Sequence, residues 1–246
     1  MAKNTSNKGV RWLFSSTAFH YQAIRTMGHS IYHGALPGEV LSAISQIRDE
    51  DTESWFDNWQ RMAKHCELLA DKACDNISGG NALLRASNYY RTSEFFLEPS
   101  DKRKRETYNK SVETFQLALE TLGIKYEIWY VPYETGEMRT YYFPGDEDKP
   151  LIITCGGYDS TNEESYFWIG CAAIQRGYPL IMFEGPGQSN MIREYGIRFT
   201  PDWQKPVSKI IDFIENKETV PSFRKKILFG ISLGGLLAIG GSGSCI

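Results

Sequence analysis

Apolar residues along this chain follow two different periods. From about residue 38 to residue 122 they recur every three or four positions, the repeat of a helix with one face turned to a core. Trp55, Trp59, Met62, Cys66 and Leu69 form one such stripe, with Asp57, Arg61, Lys64 and Asp71 on the opposite face. Gly79-Gly80 reads as the end of that element. A second helix, with Leu83, Leu84, Tyr90 and Leu97, runs to Pro99. Ser100-Asp101 offers a cap for a third, in which Val112, Phe115, Leu117 and Leu119 are apolar and Gly123 marks the close. The aromatic residues here (Trp55, Phe56, Trp59, Tyr89, Tyr90, Phe95, Phe96) read most simply as helix–helix core. A helical cap over an apolar substrate has the same texture.

After Gly123 the period changes. Lys125–Tyr133 and Arg139–Phe143 are β-branched and aromatic runs around Glu134-Thr135-Gly136-Glu137, a hairpin pattern. Pro150–Cys155, Pro179–Phe183 and Lys226–Ile231 are short continuous apolar runs, as expected of strands covered on both faces. Between them lie a helical stretch from Glu163 to Gln175 and another starting at Thr200-Pro201-Asp202, whose stripe is Val207, Ile210, Ile211 and Ile214. Strands alternating with helices predict an α/β fold with a parallel sheet.

Composition narrows the function classes. A formal charge of −3 gives no basic excess for tracking phosphates, so a nucleic-acid partner is not expected. No apolar run approaches the roughly 20 residues of a membrane span, so no membrane partner is expected either. The polar N-terminus and the odd set Cys66, Cys74, Cys155, Cys171 and Cys245, with no CxxC pair, point to the cytoplasm. Cys155 and Cys171 sit in apolar runs and read as buried small hydrophobes. His29 and His33 lack a third ligand, so no metal site is expected.

Chemistry enters at Gly230-Ile231-Ser232-Leu233-Gly234. This G-x-S-x-G follows an apolar strand and precedes a helical stretch, the setting of a strand-to-helix turn that lifts a serine hydroxyl out for attack. Ser232 is the expected nucleophile. The N–H of Leu233 would be one donor to the oxyanion. The second is expected from Cys155-Gly156-Gly157-Tyr158-Asp159, on the same rim of the sheet: Tyr158 first, Gly157 next. Glu184-Gly185-Pro186-Gly187-Gln188 follows the next strand. Its glutamate reads as a turn residue contacting backbone, with an auxiliary acid as the alternative.

Seven segments occur in order: Trp12-Leu13-Phe14, Arg85 to Arg91, Gly156 to Ser160, Arg176-Gly177-Tyr178, Glu184 to Gln188, Pro201-Asp202-Trp203 and Gly230 to Gly235. Together they resemble the α/β-hydrolases of fungal secondary-metabolite clusters, especially the fusarin and cytochalasan type, with bacterial pseudooxynicotine hydrolases as more distant kin. The resemblance covers nearly the whole chain. It implies a helical N-terminal or cap region over residues 1–122 and an α/β-hydrolase core over 123–246. It further implies a hydrolytic or ring-closing step on a polyketide or polyketide–peptide small molecule, with no cofactor. Ser232 matches the family nucleophile, and Gly157, Tyr158 and Leu233 match its oxyanion region. The oligomeric state is left open, with room for a homodimer.

One departure bears on activity. In this fold the triad acid and histidine follow the serine. Only fourteen residues follow Ser232, with no acid or histidine among them, so no triad acid or base is assigned. His20, His29, His33 and His65 all precede the first strand. The core is therefore expected to be incomplete, lacking later strands, with the Lys226–Ile231 strand left as an unprotected edge. The glycine-rich ending Gly240 to Ile246 is expected to be a poor helix and a premature end. Two further readings stay open: a non-catalytic remnant, or a base supplied by one of the N-terminal histidines.

Overall fold

The computed structural model describes residues 13–242. Trp12 and the ending Gly243 to Ile246, Cys245 included, lie outside the described residues. The chain divides into two compact units, Met1–Gly123 and Ile124–Ile246.

The first unit is helical: α1 (Thr17–Gly28), α2 (Pro37–Ile44), α3 (Thr52–Asp71), α4 (Asn76–Glu94) and α5 (Lys102–Thr121). Three starts share one device. The carboxylates of Asp51, Asp75 and Asp101 accept from the N–H groups of Ser54, Ser78 and Arg103 at 2.8, 2.8 and 2.9 Å. Each satisfies a donor that the first helical turn leaves orphaned, worth about 1 kcal/mol. Gly123 closes α5 as expected, at φ +68° with its N–H on Glu120. The core is an aromatic cluster. Trp55 and Trp59 have no exposed surface, and Trp55 lies 4.8 Å from Phe19 and 5.1 Å from Phe96 between ring centres. The Trp55 indole N–H donates to Thr92 O at 2.8 Å, so burial leaves it paired. α4 runs through the middle. Ser87 and Ser111 exchange hydroxyl-to-carbonyl bonds of 2.8 Å each way, which small side chains on α4 and α5 permit.

Several elements differ from what the sequence pattern predicts. Helix begins well before residue 38, because Ser16 caps α1 by accepting from Phe19 N–H. Gly79-Gly80 does not end α3. It lies inside α4, where Gly80 packs on the Leu122 side chain and a larger residue would collide with it. Leu97 falls beyond the end of α4. Leu69 and Leu117 sit at the margins of their stripes and are exposed.

The second unit holds a five-stranded mixed sheet in the order β1-β2-β4-β3-β5. β1 (Glu127–Tyr133) and β2 (Gly136–Phe143) form the expected hairpin, closed more tightly than the sequence suggested. Tyr133 pairs with Gly136, leaving Glu134 and Thr135 to turn, with Glu134 at φ 51°. β2 runs antiparallel to β4 (Leu180–Phe183). β3 (Leu151–Cys155) lies parallel to both β4 and β5 (Lys226–Gly230). Between β3 and β4 the helical stretch is α6 (Asn162–Ser165), a π-helical turn (Tyr166–Gly170) and α7 (Cys171–Gln175). α8 (Ser189–Tyr195) has no counterpart in the sequence reading. α9 (Gln204–Glu215) starts later than Thr200, whose hydroxyl accepts from Asp202 N–H in a turn before the helix. Val207, Ile210 and Ile214 of α9 pack with Trp203, Leu151, Ile153 and Phe183 in one core.

β5 differs from the buried strand its composition suggested. It occupies the sheet margin, as the edge expectation held, and Ile227 and Phe229 are exposed there. α10 (Leu233–Ser242) follows it. Despite its glycines it is helical through Ser242, because packing overrides propensity: Gly241 is buried close against Val207 and Leu228.

Candidate active site

Ser232 stands between the last residue of β5 and the first turn of α10, two residues after Gly230 and one before Leu233. Its φ is 57°, a left-handed conformation that non-glycine residues adopt at a cost of roughly 1–2 kcal/mol. The residue is exposed. The bend is tight. Gly234 N–H reaches back to Ile231 O at 2.8 Å and Gly235 N–H to Ser232 O at 3.0 Å. A Cβ on Gly230 would collide with the Gly234 carbonyl, and one on Gly234 with the Gly156 carbonyl. Glycine is therefore required at both positions, because strand, turn and neighbouring loop share the same space.

The loop after β3 faces the serine. A Cβ built on Gly157 would lie 3.1 Å from Ser232 Cβ and 3.4 Å from its Oγ. The structure thus brings Ser232, Leu233, Gly157 and Tyr158 to one place. The two loop amides differ. Gly157 N–H donates to Ser160 Oγ at 2.9 Å, whereas Tyr158 N–H has no acceptor among the described residues. The exposed Tyr158 ring stacks on Phe199 with centres 5.5 Å apart. Below the loop, burial pushes the Cys155 thiol up to about 11, which keeps it protonated and unreactive near neutrality.

Behind this loop lies a buried charge cluster that sequence reasoning missed. Arg139 of β2, Glu163 of α6 and Glu184 after β4 are 7%, 2% and 2% exposed in their side chains. An Arg139 guanidinium nitrogen lies 2.9 Å from Glu163 Oε1 and 3.1 Å from Glu184 Oε1. Tyr141 O–H donates to Glu163 at 3.0 Å. Glu184 also accepts from the backbone N–H groups of Asn162 and Asn190 at 2.9 and 3.1 Å, so its expected backbone contacts are present together with an ion pair. Burial raises the Glu163 pKa. Arg139 pulls it down and the Glu184 charge pushes it up. The three residues are distant in sequence, and only Glu184 stood in a motif that drew notice.

Other candidates fall elsewhere. All four histidines lie in the helical unit and residues 124–246 contain none. His29 is buried, with Nδ1 3.0 Å from Asn88 Oδ1, and His33 sits in a left-handed turn at φ 64°. Among the described residues no group of three or more His, Cys, Asp or Glu could hold a metal ion, and no helix is long and apolar enough to cross a membrane.

No protein-family model matches the chain. Curated proteins do. Hydrolase acrC of Aspergillus aculeatus is 34% identical over 254 aligned positions, covering 92% of this chain and 59% of the relative. The 20-hydroxy-prefusarin hydrolase FUS2 of Gibberella moniliformis is 32% identical over 243, covering 92% and 58%. The chain therefore spans somewhat under three-fifths of these relatives' length. Among solved structures, 2,6-dihydroxy-pseudo-oxynicotine hydrolase superposes with a TM-score of 0.71 at 27% identity, covering 87% of this chain and 60% of that one. The fold is thus that of the α/β-hydrolases, and in sequence the chain is similar to the hydrolases of fungal secondary-metabolite clusters.

Proposed function

We propose that this chain carries the nucleophile and oxyanion site of a serine hydrolase. Its substrate would be a polyketide or polyketide–peptide intermediate, cleaved at an ester, thioester or activated C–C bond, or closed into a ring. The observation that carries the reading is the exposed Ser232 at φ 57°, held in the β5–α10 bend against Gly157. Attack by its Oγ on a carbonyl carbon, with the hydroxyl proton passing to a base, would open the C=O π bond into a tetrahedral adduct and place negative charge on the former carbonyl oxygen. The N–H groups of Leu233 and Tyr158 are the two donors assigned to that oxygen, Gly157 N–H being engaged by Ser160. Leu233 opens α10, a helix of ten residues, so the positive end of its dipole adds to the same stabilisation. The substrate class rests on the relatives. The division into a helical N-terminal region (1–122) and a hydrolase core (123–246) is part of the same proposal.

The test is a fluorophosphonate probe, which phosphonylates activated serines. Wild type is expected to label and Ser232→Ala to fall to background. Labelling that is equal in the two proteins, or absent from both when the chain is extended to the relatives' length, would overturn the nucleophile assignment. A second reading, binding without turnover, is favoured by the lack of histidine in residues 124–246, since a serine needs a base within hydrogen-bond reach. Ser232-dependent turnover of p-nitrophenyl acetate by this chain would dismiss it.

A further inference from the structure

The oxyanion assignment raises the question of what holds the loop after β3 in its working shape. We propose that Gln188 is a positioning residue for the oxyanion-binding peptide, clamping the loop from behind so that Tyr158 N–H is presented to the reacting side. This rests on the reading of Ser232 given above.

Gln188 is 1% exposed, and every polar atom of its side chain is engaged. Its amide nitrogen donates to Gly156 O at 2.5 Å and to Gly157 O at 3.2 Å, across 32 and 31 residues of sequence. Its Oε1 accepts from Gly185 N–H at 2.9 Å, and its own backbone N–H donates to Gly185 O at 3.0 Å, so the side chain cannot swing. A glutamine amide has two N–H groups and one carbonyl, and here each has a partner.

Peptide planarity gives the clamp its consequence. In a trans peptide the C=O and the N–H point in opposite directions. Fixing Gly156 O toward Gln188 turns the N–H of Gly157 the other way, where Ser160 Oγ receives it at 2.9 Å. Fixing Gly157 O toward Gln188 likewise turns the N–H of Tyr158 away from Gln188. That second N–H is the one with no acceptor among the described residues, and its peptide follows the glycine that faces Ser232. The Phe199 ring under Tyr158 holds the far side of the loop.

The buried charge cluster explains the stiffness of the base. Gln188 belongs to the segment Glu184 to Asn190, which is buried throughout. Glu184 anchors this segment to Arg139 and to Asn162 N–H at one end, and to Asn190 N–H at the other. Ion pair, segment, glutamine and loop are joined in sequence by hydrogen bonds and the segment's own backbone, ending at an amide that has no acceptor among the described residues.

Gln188→Met keeps the volume and removes the donors. Gln188→Glu sets a carboxylate against two carbonyl oxygens. Each is compared with wild type by fluorophosphonate labelling rate, by p-nitrophenyl acetate kinetics and by NMR amide exchange. The expected result is a labelling rate and kcat lower by about ten- to a hundredfold, short of the 10²–10³ typical of deleting a donor outright, with KM within about twofold. Gly157 amide exchange should quicken by about tenfold while Phe183, in β4, is unchanged. Labelling within about twofold of wild type, or unaltered exchange at Gly157, would overturn the clamp. If wild type shows no Ser232-dependent labelling, the nucleophile reading falls, and exchange at Gly157 alone decides whether Gln188 holds the loop.

Discussion

In the helical unit, buried polar groups pair over short spans or between neighbouring helices: Thr26 with Gln22 O, Thr92 with Asn88 O, Ser87 with Ser111. Two of its ion pairs keep a foot in solvent, Arg85 with Glu39 at 12% and 14% side-chain exposure and Lys104 at 19% beside the buried Glu94. In the α/β unit, Arg139, Glu163 and Glu184 converge from a strand, a helix start and a loop into a site nearly closed to water. A charge at the rim can be rescued by water when its partner is lost, whereas a charge in the interior cannot. The Arg85–Glu39 pair can thus be replaced by water, whereas the three charges of the α/β cluster depend on one another.

The largest expected effect tests that contrast directly. Arg139→Met removes the cation shared by two buried carboxylates and is expected to cost about 3–5 kcal/mol in chemical denaturation. Arg85→Met is expected to cost about 1–2 kcal/mol, because Glu39 can rehydrate. Equal losses would erase the distinction. Next comes the backbone. Gly230→Ala forces a side chain into the Gly234 carbonyl and should destabilise by about 1–3 kcal/mol. Gly38→Ala in α2 meets open space and should stabilise by about 0.5–1 kcal/mol, both read from thermal melts. Smaller again is the cap: Asp75→Ala is expected to lose about 1 kcal/mol and Asp75→Asn only a few tenths.

The smallest effect is one of pH. The capped N–H groups hold the Asp51 and Asp75 carboxyls below the ordinary 3.8, and the Arg103 guanidinium does the same for Asp101. A depressed folded-state pKa stabilises above the unfolded value, and that stability is lost as pH falls through the folded one. Helical circular dichroism should therefore decline below pH 3.8. A variant with asparagine at all three positions should decline less steeply over the same range.

These contrasts also set what was legible in the sequence. The bend at Ser232 could be read because its requirements sit within five consecutive residues: a glycine at each end and a strand leading in. Helix starts at Asp51, Asp75 and Asp101 depend on a carboxylate and an N–H two or three residues on, and the one at Asp101 was read correctly. Gly79-Gly80 misled because glycine marks both helix ends and close helix packing, and only Leu122, far along the chain, distinguishes them. The charge cluster and the Gln188 clamp were invisible for the same reason. Their partners stand more than twenty residues apart, and no local pattern announces which arginine meets which glutamate.

The φ of 57° at position 232 has a consequence for how this turn tolerates change. Glycine would occupy that backbone conformation without steric penalty, offset in part by its greater freedom in the unfolded chain. The fold by itself would be no worse, and by up to about 1 kcal/mol better, with the side chain removed. A screen for heat resistance alone would accept glycine at this position, whereas a screen for the serine chemistry proposed above would reject it.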